Sequence, residues 1–263
     1  MQNLKVTIIQ SEIIWENPGL NFELFGEKIN RIRQKTDLIL LPEMFTSGFT
    51  MNAKKVADKP YGKTAEFLKY NSQKKKAHIA GSVVIKEKNK FYNRLILASP
   101  DGKIYHYDKR HLFRMGKEHS VYTAGNEHLI IKIKGWRVAF FICYDLRFPE
   151  WCRNKNNYDI SVFVANWPEI RRYHWNTLLL ARAIENQSYV IGANRVGKDG
   201  NGIKCSGESA IINPKGEYLL KAKNEDRVFT AGLSYKLLID YRKKFPAYKD
   251  ADKFVLERYN RKI

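Results

Sequence analysis

Apolar positions along the chain follow two rhythms, short continuous or alternating runs and stretches at helical spacing. Leu4–Gln10 reads as a strand. Pro18 then opens a helix, because Phe22, Phe25, Ile29 and Ile32 recur at steps of three, four and three, which is one helical face. Asp37–Leu41 is a continuous apolar run, the form of a buried strand. Lys63–Lys76 predicts a surface helix with Ala65 and Leu68 turned inward. His78–Lys86 and Phe91–Ser99 flank a polar turn and predict a hairpin; after the turn Pro100-Asp101-Gly102 comes a strand at Ile104–Tyr107. Leu129–Ile133 and Trp136–Ile142, joined by Lys134-Gly135, form a second hairpin. Further strands are expected at Asp159–Ala165, Tyr189–Asn194, Ser209–Ile212, Tyr218–Lys221 and Phe229–Ser234, with helices at Trp175–Glu185 and Tyr235–Lys243. Gly197–Gly202 reads as a glycine-rich turn, and Asn213–Gly216 as another. Hairpins mixed with strand–helix alternation predict an α/β layered domain with a mixed sheet. No linker, repeat or low-complexity tract divides the chain, so residues 1–263 read as a single domain. The polar and aromatic tail from about residue 246 is expected against a partner subunit.

Composition narrows the class. The 263 residues are 44% hydrophobic and 13% aromatic, too apolar for a disordered chain. Three cysteines close no disulfide set and show no C-x-x-C spacing, so a reduced, cytoplasmic protein is expected. The stretch MQNLKVTIIQ does not look like a secretory signal. No apolar run approaches the roughly 18 residues of a membrane span. The net charge of +20 raises attraction for anions. Yet the basic residues are dispersed, their longest runs being Lys74–Lys76 and Arg242–Lys244, and no nucleic-acid motif is present. An enzyme with a basic surface is therefore the expectation, with a non-enzymatic anion- or nucleic-acid-binding module as the alternative. Neither H-E-x-x-H nor a phosphate-binding loop occurs, and His111 and His119 lack company at ligand spacing, so no metal is expected.

In layered α/β folds, ligands gather outside the carboxyl ends of strands. Three predicted strands end at reactive residues. Leu38–Leu41 leads into Pro42-Glu43, a carboxylate that is costly there unless paired or exposed in a cleft. Ile104–Tyr107 leads into Asp108-Lys109, and Trp136–Ile142 leads into Cys143. Singly, these read as a surface acid, a charged loop and a small core hydrophobe. Together they offer a base, a cation and a nucleophile suited to attack on an acyl carbon. A turn after Cys143 can present the sulfur at a strand–helix junction, where the thiolate is favoured. Cys152 and Cys205 lack such a setting and read as structural.

The motifs PEMFTSGF around Glu43, YDKRHLF around Lys109 and FICYDLRFPEW around Cys143 follow at intervals of 66 and 34 residues. On these the chain is similar to the carbon–nitrogen hydrolase (nitrilase) superfamily. Glu118 in GKEHSVYTAG resembles the family's second glutamate, and the segments ANWP, ARAIENQ, NRVG and NPKG extend the likeness over nearly the whole chain. The resemblance implies a four-layer α-β-β-α sandwich that pairs into a homodimer. It implies a Glu–Lys–Cys triad of Glu43, Lys109 and Cys143, a thioester on Cys143, and no metal or organic cofactor. Lys109 and the backbone N–H of Tyr144 would hold the oxyanion. Glu118 would orient Lys109 and the amide; a structural ion pair with Lys109 is the alternative. Trp167 is expected either to line the pocket or to fill the core.

Within the superfamily, Cys-Tyr-Asp-x-Arg-Phe-Pro at Cys143–Pro149 is similar to amidases rather than nitrilases. The combination of PEMFTSGF, DKRHLF and RKKFPAYKDAD at Arg242–Asp252 resembles bacterial omega-amidases. That implies a small-molecule partner, a 2-oxo acid amide such as 2-oxoglutaramate or 2-oxosuccinamate. Arg114 and Arg147, in the catalytic loops, are expected to clamp its carboxylate, with a structural ion pair as the alternative for Arg147. Amidases acting on deaminated glutathione or carbamoyl amides share the triad and remain an alternative. A Cys–His hydrolase using His111 is a rival of another type.

Overall fold

In the computed structural model, residues 2–256 are described. The strands are β1 (Leu4–Gln10), β2 (Leu38–Leu40), β3 (His78–Glu87), β4 (Lys90–Ala98), β5 (Ile104–Asp108), β6 (Leu129–Ile133) and β7 (Trp136–Ile142). They continue as β8 (Ile160–Ala165), β9 (Tyr189–Asn194), β10 (Val196–Lys198), β11 (Lys204–Ser206), β12 (Ala210–Ile212), β13 (Tyr218–Lys221) and β14 (Arg227–Leu233). The helices are α1 (Pro18–Arg31), α2 (Ala53–Val56), α3 (Lys63–Lys75), α4 (Pro149–Cys152), α5 (Arg172–Asn186) and α6 (Tyr235–Lys244).

One sheet runs β14-β1-β2-β3-β4-β5 and the other β13-β12-β9-β8-β7-β6, while β10 and β11 pair as a separate ribbon. Each large sheet is mixed. β1, β2 and β3 are parallel, as are β7, β8 and β9, with antiparallel neighbours on both sides. Val6, Ile8 and Leu40 of the first sheet join Val138, Phe140, Val162 and Ile191 of the second in one buried cluster. Phe25, Ile29 and Leu68 of α1 and α3 cover the first sheet over Ile39, Ile79 and Ile96. Trp175, Leu179 and Leu238 of α5 and α6 pack into the second sheet's cluster. The layers are thus helix, sheet, sheet, helix, and the α/β sandwich expectation holds.

Local chemistry explains the helix ends. Asn17 caps α1, its side chain accepting from Leu20 N, with Pro18 in the first turn. Ser234 caps α6 by accepting from Leu237 N. Helix α5 approaches β9 closely because Gly192 has no side chain. A Cβ there would lie 2.6 Å from Trp175 and 2.7 Å from Leu179. Gly192→Ala should therefore cost about 1–3 kcal/mol by overpacking, read as a lower Tm in thermal melts. An unchanged Tm would mean that α5 can lift from the sheet freely.

The expected elements are present with ends shifted by up to three residues. The four-residue helices α2 and α4 were missed, as was a ribbon: the stretch read as a glycine-rich turn is the tip of the β10–β11 hairpin, whose strands of three residues are too short to show a period. The described part of the tail lies on its own chain. Gln187 donates to Phe245 O and accepts from Tyr248 N, and Lys155 donates to Phe254 O. The remainder of the tail lies outside the described residues. No helix among the described residues is long and apolar enough to cross a membrane.

Candidate active site

The segments after β2, β5, β7 and β8 meet at one end of the two sheets. Leaving β2, the chain turns sharply at Met44, whose φ is +43°. Ser82 Oγ accepts from Met44 N at 2.9 Å and Ser82 O from Phe45 N at 3.0 Å, which pins the turn. Glu43 is thereby fully buried. Burial of this carboxylate is offset by donors on both oxygens. Lys109 Nζ and Asn93 Nδ2 each donate to Oε1 at 2.8 Å, and Asn166 N donates to Oε2 at 2.8 Å. Asn166 Nδ2 also donates to the backbone carbonyl of Glu43.

Lys109 follows β5 directly. Arg94 grips the preceding Asp108 with Nε at 2.7 Å and Nη2 at 2.9 Å, fixing the strand end. Besides Glu43, Lys109 Nζ donates to Glu118 Oε2 at 2.9 Å and Oε1 at 3.1 Å. Burial alone would lower the ammonium's pKa, but Glu118 and Glu43 outweigh it and raise it, so Lys109 is charged. Glu118 is also fully buried and accepts Phe113 N at 2.6 Å. Burial pushes its pKa up against the opposing pull of Lys109. The ion pair weighed as the alternative for Glu118 is therefore present, inside the site.

Cys143 opens a five-residue 3-10 turn, Cys143–Arg147, with φ at +44°, a strained value for a residue with a side chain. Asp145 holds that turn. Its carboxylate accepts Ile142 N at 3.0 Å, Tyr107 Oη at 2.7 Å and His111 N at 2.9 Å, and lies 2.8 Å from His111 Nδ1. The cysteine turn and the Lys109 loop are thus tied to one buried acid. His111 serves there and stacks on Phe148 at 3.8 Å between ring centres, which leaves no support for a Cys–His pair. The expectation of a favoured thiolate is corrected. Burial pushes the Cys143 thiol well up, the Glu43 charge adds to this, and Lys109 opposes it only in part. The resting sulfur is therefore a thiol.

Glu43, Lys109 and Cys143 face a cavity of about 390 Å³ that Trp15, Phe49, Phe113, Tyr144, Trp167 and Cys205 also line. Trp167 satisfies both readings made of it, because it is 3% exposed and still forms part of the wall. Tyr144 packs edge-on against Phe113, 5.1 Å between ring centres. Arg147 lines the cavity, 5.1 Å over the Trp167 ring and 2.8 Å from His174 Nδ1. Arg114 does not. It lies exposed on the 3-10 turn Arg114–Gly116, whose neighbours Phe113 and Gly116 line the cavity instead. Its expected place is taken by Arg171, at the end of the 3-10 turn Glu169–Arg171 and 5.4 Å over Phe113. Among the described residues neither Arg147 nor Arg171 is paired with a carboxylate, and there is no group of three or more His, Cys, Asp or Glu that could hold a metal ion.

Sequence reading missed Asn93, Asn166 and Arg171. For Asn93 a signal existed: it shares a strand face with Leu95 and Leu97, where a polar side chain needs a buried partner. Asn166 was read only as part of ANWP. Arg171 stood in an aperiodic stretch with no local mark.

Chemically, the site can pass a proton from a thiol to a carboxylate beside a fixed ammonium. The sequence matches the carbon-nitrogen hydrolase family over residues 5–243. It is 46% identical to omega-amidase YafV of Escherichia coli K12, with 97% of this chain and 100% of that protein covered. It is 32% identical to a 2-oxoglutaramate amidase of Bacillus subtilis, covering 94% and 97% of the two. The crystal structure of XC1258 from Xanthomonas campestris, a CN-hydrolase superfamily protein with an arsenic adduct in its active site, superposes with a TM-score of 0.96. It is 41% identical, over 98% of this chain and 100% of that one.

Proposed function

The chain belongs to the carbon–nitrogen hydrolase family and is an amide-hydrolysing enzyme, and from that premise we propose an omega-amidase acting on small 2-oxo acid amides. The observation that carries the substrate class is the pair Arg147 and Arg171. Two guanidinium groups without carboxylate partners line the same cavity as Cys143. An anionic substrate completes them in the cavity that Cys143 also lines.

In the proposed reaction the Cys143 thiol gives its proton to Glu43 Oε2 and sulfur bonds the amide carbon. The carbonyl π pair moves to oxygen, and Lys109 with the N–H of Tyr144 holds the resulting oxyanion, where one such donor is worth about 10²–10³ in rate. The C–N bond then breaks, and ammonia leaves with the proton from Glu43. Water adds to the thioester, giving a proton to Glu43. The S–C bond breaks, the dicarboxylate leaves, and the proton returns to sulfur. Glu118 keeps Lys109 aimed throughout.

Ammonia release from 2-oxoglutaramate, 2-oxosuccinamate, deaminated glutathione and an uncharged aliphatic amide tests the substrate class. The two 2-oxo amides should turn over fastest. Arg171→Ala and Arg147→Ala should each lower kcat/KM for them about 10–100-fold, the value of a charge-assisted hydrogen bond, with most of the change in KM. The uncharged amide should be little affected. Equal losses on both substrate kinds would remove the arginines from carboxylate recognition, and preference for deaminated glutathione or a carbamoyl amide would replace the substrate.

We further propose that residues 1–263 act as one catalytic domain, that it works as a homodimer in which the tail contributes to the contact, and that it resides in the cytoplasm. The likeness to family members supports the first two, and three unpaired cysteines support the last.

A further inference from the structure

Asn93 is fully buried in β4 and touches neither cavity nor solvent. Its two amide hydrogens go to two different carboxylates, Glu43 Oε1 at 2.8 Å and Glu118 Oε1 at 3.1 Å. Its orientation is not free. Ser82 Oγ donates to Asn93 Oδ1 at 2.8 Å while itself accepting from Met44 N at 2.9 Å. A backbone N–H can only donate, so the serine hydroxyl must donate onward, and only the amide oxygen can receive it. The amide nitrogen is thereby forced toward the acids. Met44 is the residue at positive φ next to Glu43, so the relay begins at the same turn it serves.

We propose that Asn93 is a positioning residue that assigns different tasks to the two oxygens of Glu43. This rests on the reading of Glu43 as the proton carrier for Cys143. Oε1 is saturated by Lys109 and Asn93. Oε2 carries only the Asn166 N–H and is left as the oxygen that exchanges a proton. The same amide lets two buried carboxylates share one ammonium. Like charges this close drive one of them to take a proton, whereas each N–H donated to a carboxylate favours its ionised form. A base that must accept a proton from a thiol needs that ionised form.

The test compares wild type, Asn93→Asp, Ser82→Ala and Cys143→Ala by kcat, KM and the pH dependence of kcat/KM on one 2-oxo acid amide. Aspartate keeps the shape and the oxygen, replaces the two N–H donors and sets a third carboxyl beside Glu43 and Glu118. The acid limb of the profile should move up by one unit or more, and kcat should fall about 10²-fold with KM changed only a few-fold. Ser82→Ala frees the amide to turn and adds no charge beside the carboxylates, while also removing the Oγ that accepts from Met44 N at the Glu43 turn. It should move the limb in the same direction by less, which keeps the test open if Asn93→Asp fails to fold. Activity loss with an unmoved acid limb in both variants would reduce Asn93 to a packing role and overturn the proposal. Turnover that survives Cys143→Ala would overturn the reading of the site, and this inference with it. Cys143-dependent turnover with unmoved limbs overturns the inference alone.

Discussion

Cys143→Ala is expected to abolish ammonia release, with kcat lowered by about 10⁴-fold or more, because the covalent route through a thioester is lost. The fold should be unaffected. Removing one sulfur from a side chain that is 9% exposed at a cavity wall leaves the core intact, so the Tm should stay within a few degrees. Two other thiols exist, and neither can stand in. Cys205 lines the same cavity, but burial pushes its pKa up to about 12, and no base is hydrogen-bonded to it. Cys152 is fully buried and donates to Asp145 O at 3.2 Å. Cys205→Ala and Cys152→Ala should therefore keep the triad's chemistry. The measurement is single-turnover acylation followed by intact mass. Wild type should gain the acyl mass on one site, and Cys143→Ala should gain none. An acyl adduct on Cys143→Ala would place the nucleophile elsewhere.

Lys109→Met should cost both activity and stability, and the stability loss should depend on pH. Wild-type Lys109 has its pKa raised by Glu118 and Glu43, so its contribution is fully present below the ordinary lysine pKa and persists through neutrality. Methionine fills the space but leaves two buried carboxylates with no cation. Breaking a buried pair in this way costs about 3–5 kcal/mol. Glu118 responds by holding a proton in the folded state. Unfolded glutamates ionise near pH 4.3. Between that value and the raised folded pKa, the folded chain binds more protons, so its stability falls as pH rises. The gap in Tm between wild type and Lys109→Met should thus be small near pH 4.5 and wide near pH 7.5. Glu118 is already pushed up in the wild type and would lead this response. A gap that does not change with pH would mean that the lysine is held by packing alone. Turnover should fall by about 10²–10³ even at the lower pH, since the oxyanion loses its cation.

Much of this was legible along the chain. The apolar runs placed the strands, and the strand ends placed Glu43, Lys109 and Cys143. The donors around buried Glu43 fit the reading that a carboxylate after a buried strand is costly unless paired or exposed in a cleft. Arg114 and the thiolate were misplaced for the same reason. Whether an arginine directly after a motif faces a cavity depends on how a 3-10 turn is oriented. Whether a thiol is ionised depends on the sum of burial, a carboxylate and an ammonium drawn from three separate strands.

The sequence by itself determined the layered α/β plan, the family likeness and the choice of the groups proposed to react, because apolar rhythm and short motifs are local properties of the chain. The tertiary structure decided which oxygen of Glu43 is free, which arginines face the cavity, and that Asn93 binds two acids at once. Those outcomes rest on hydrogen bonds between residues 25, 50, 66 and 123 positions apart. Donor and acceptor geometry over such separations is set by strand register and the packing of two sheets, and no local pattern encodes it.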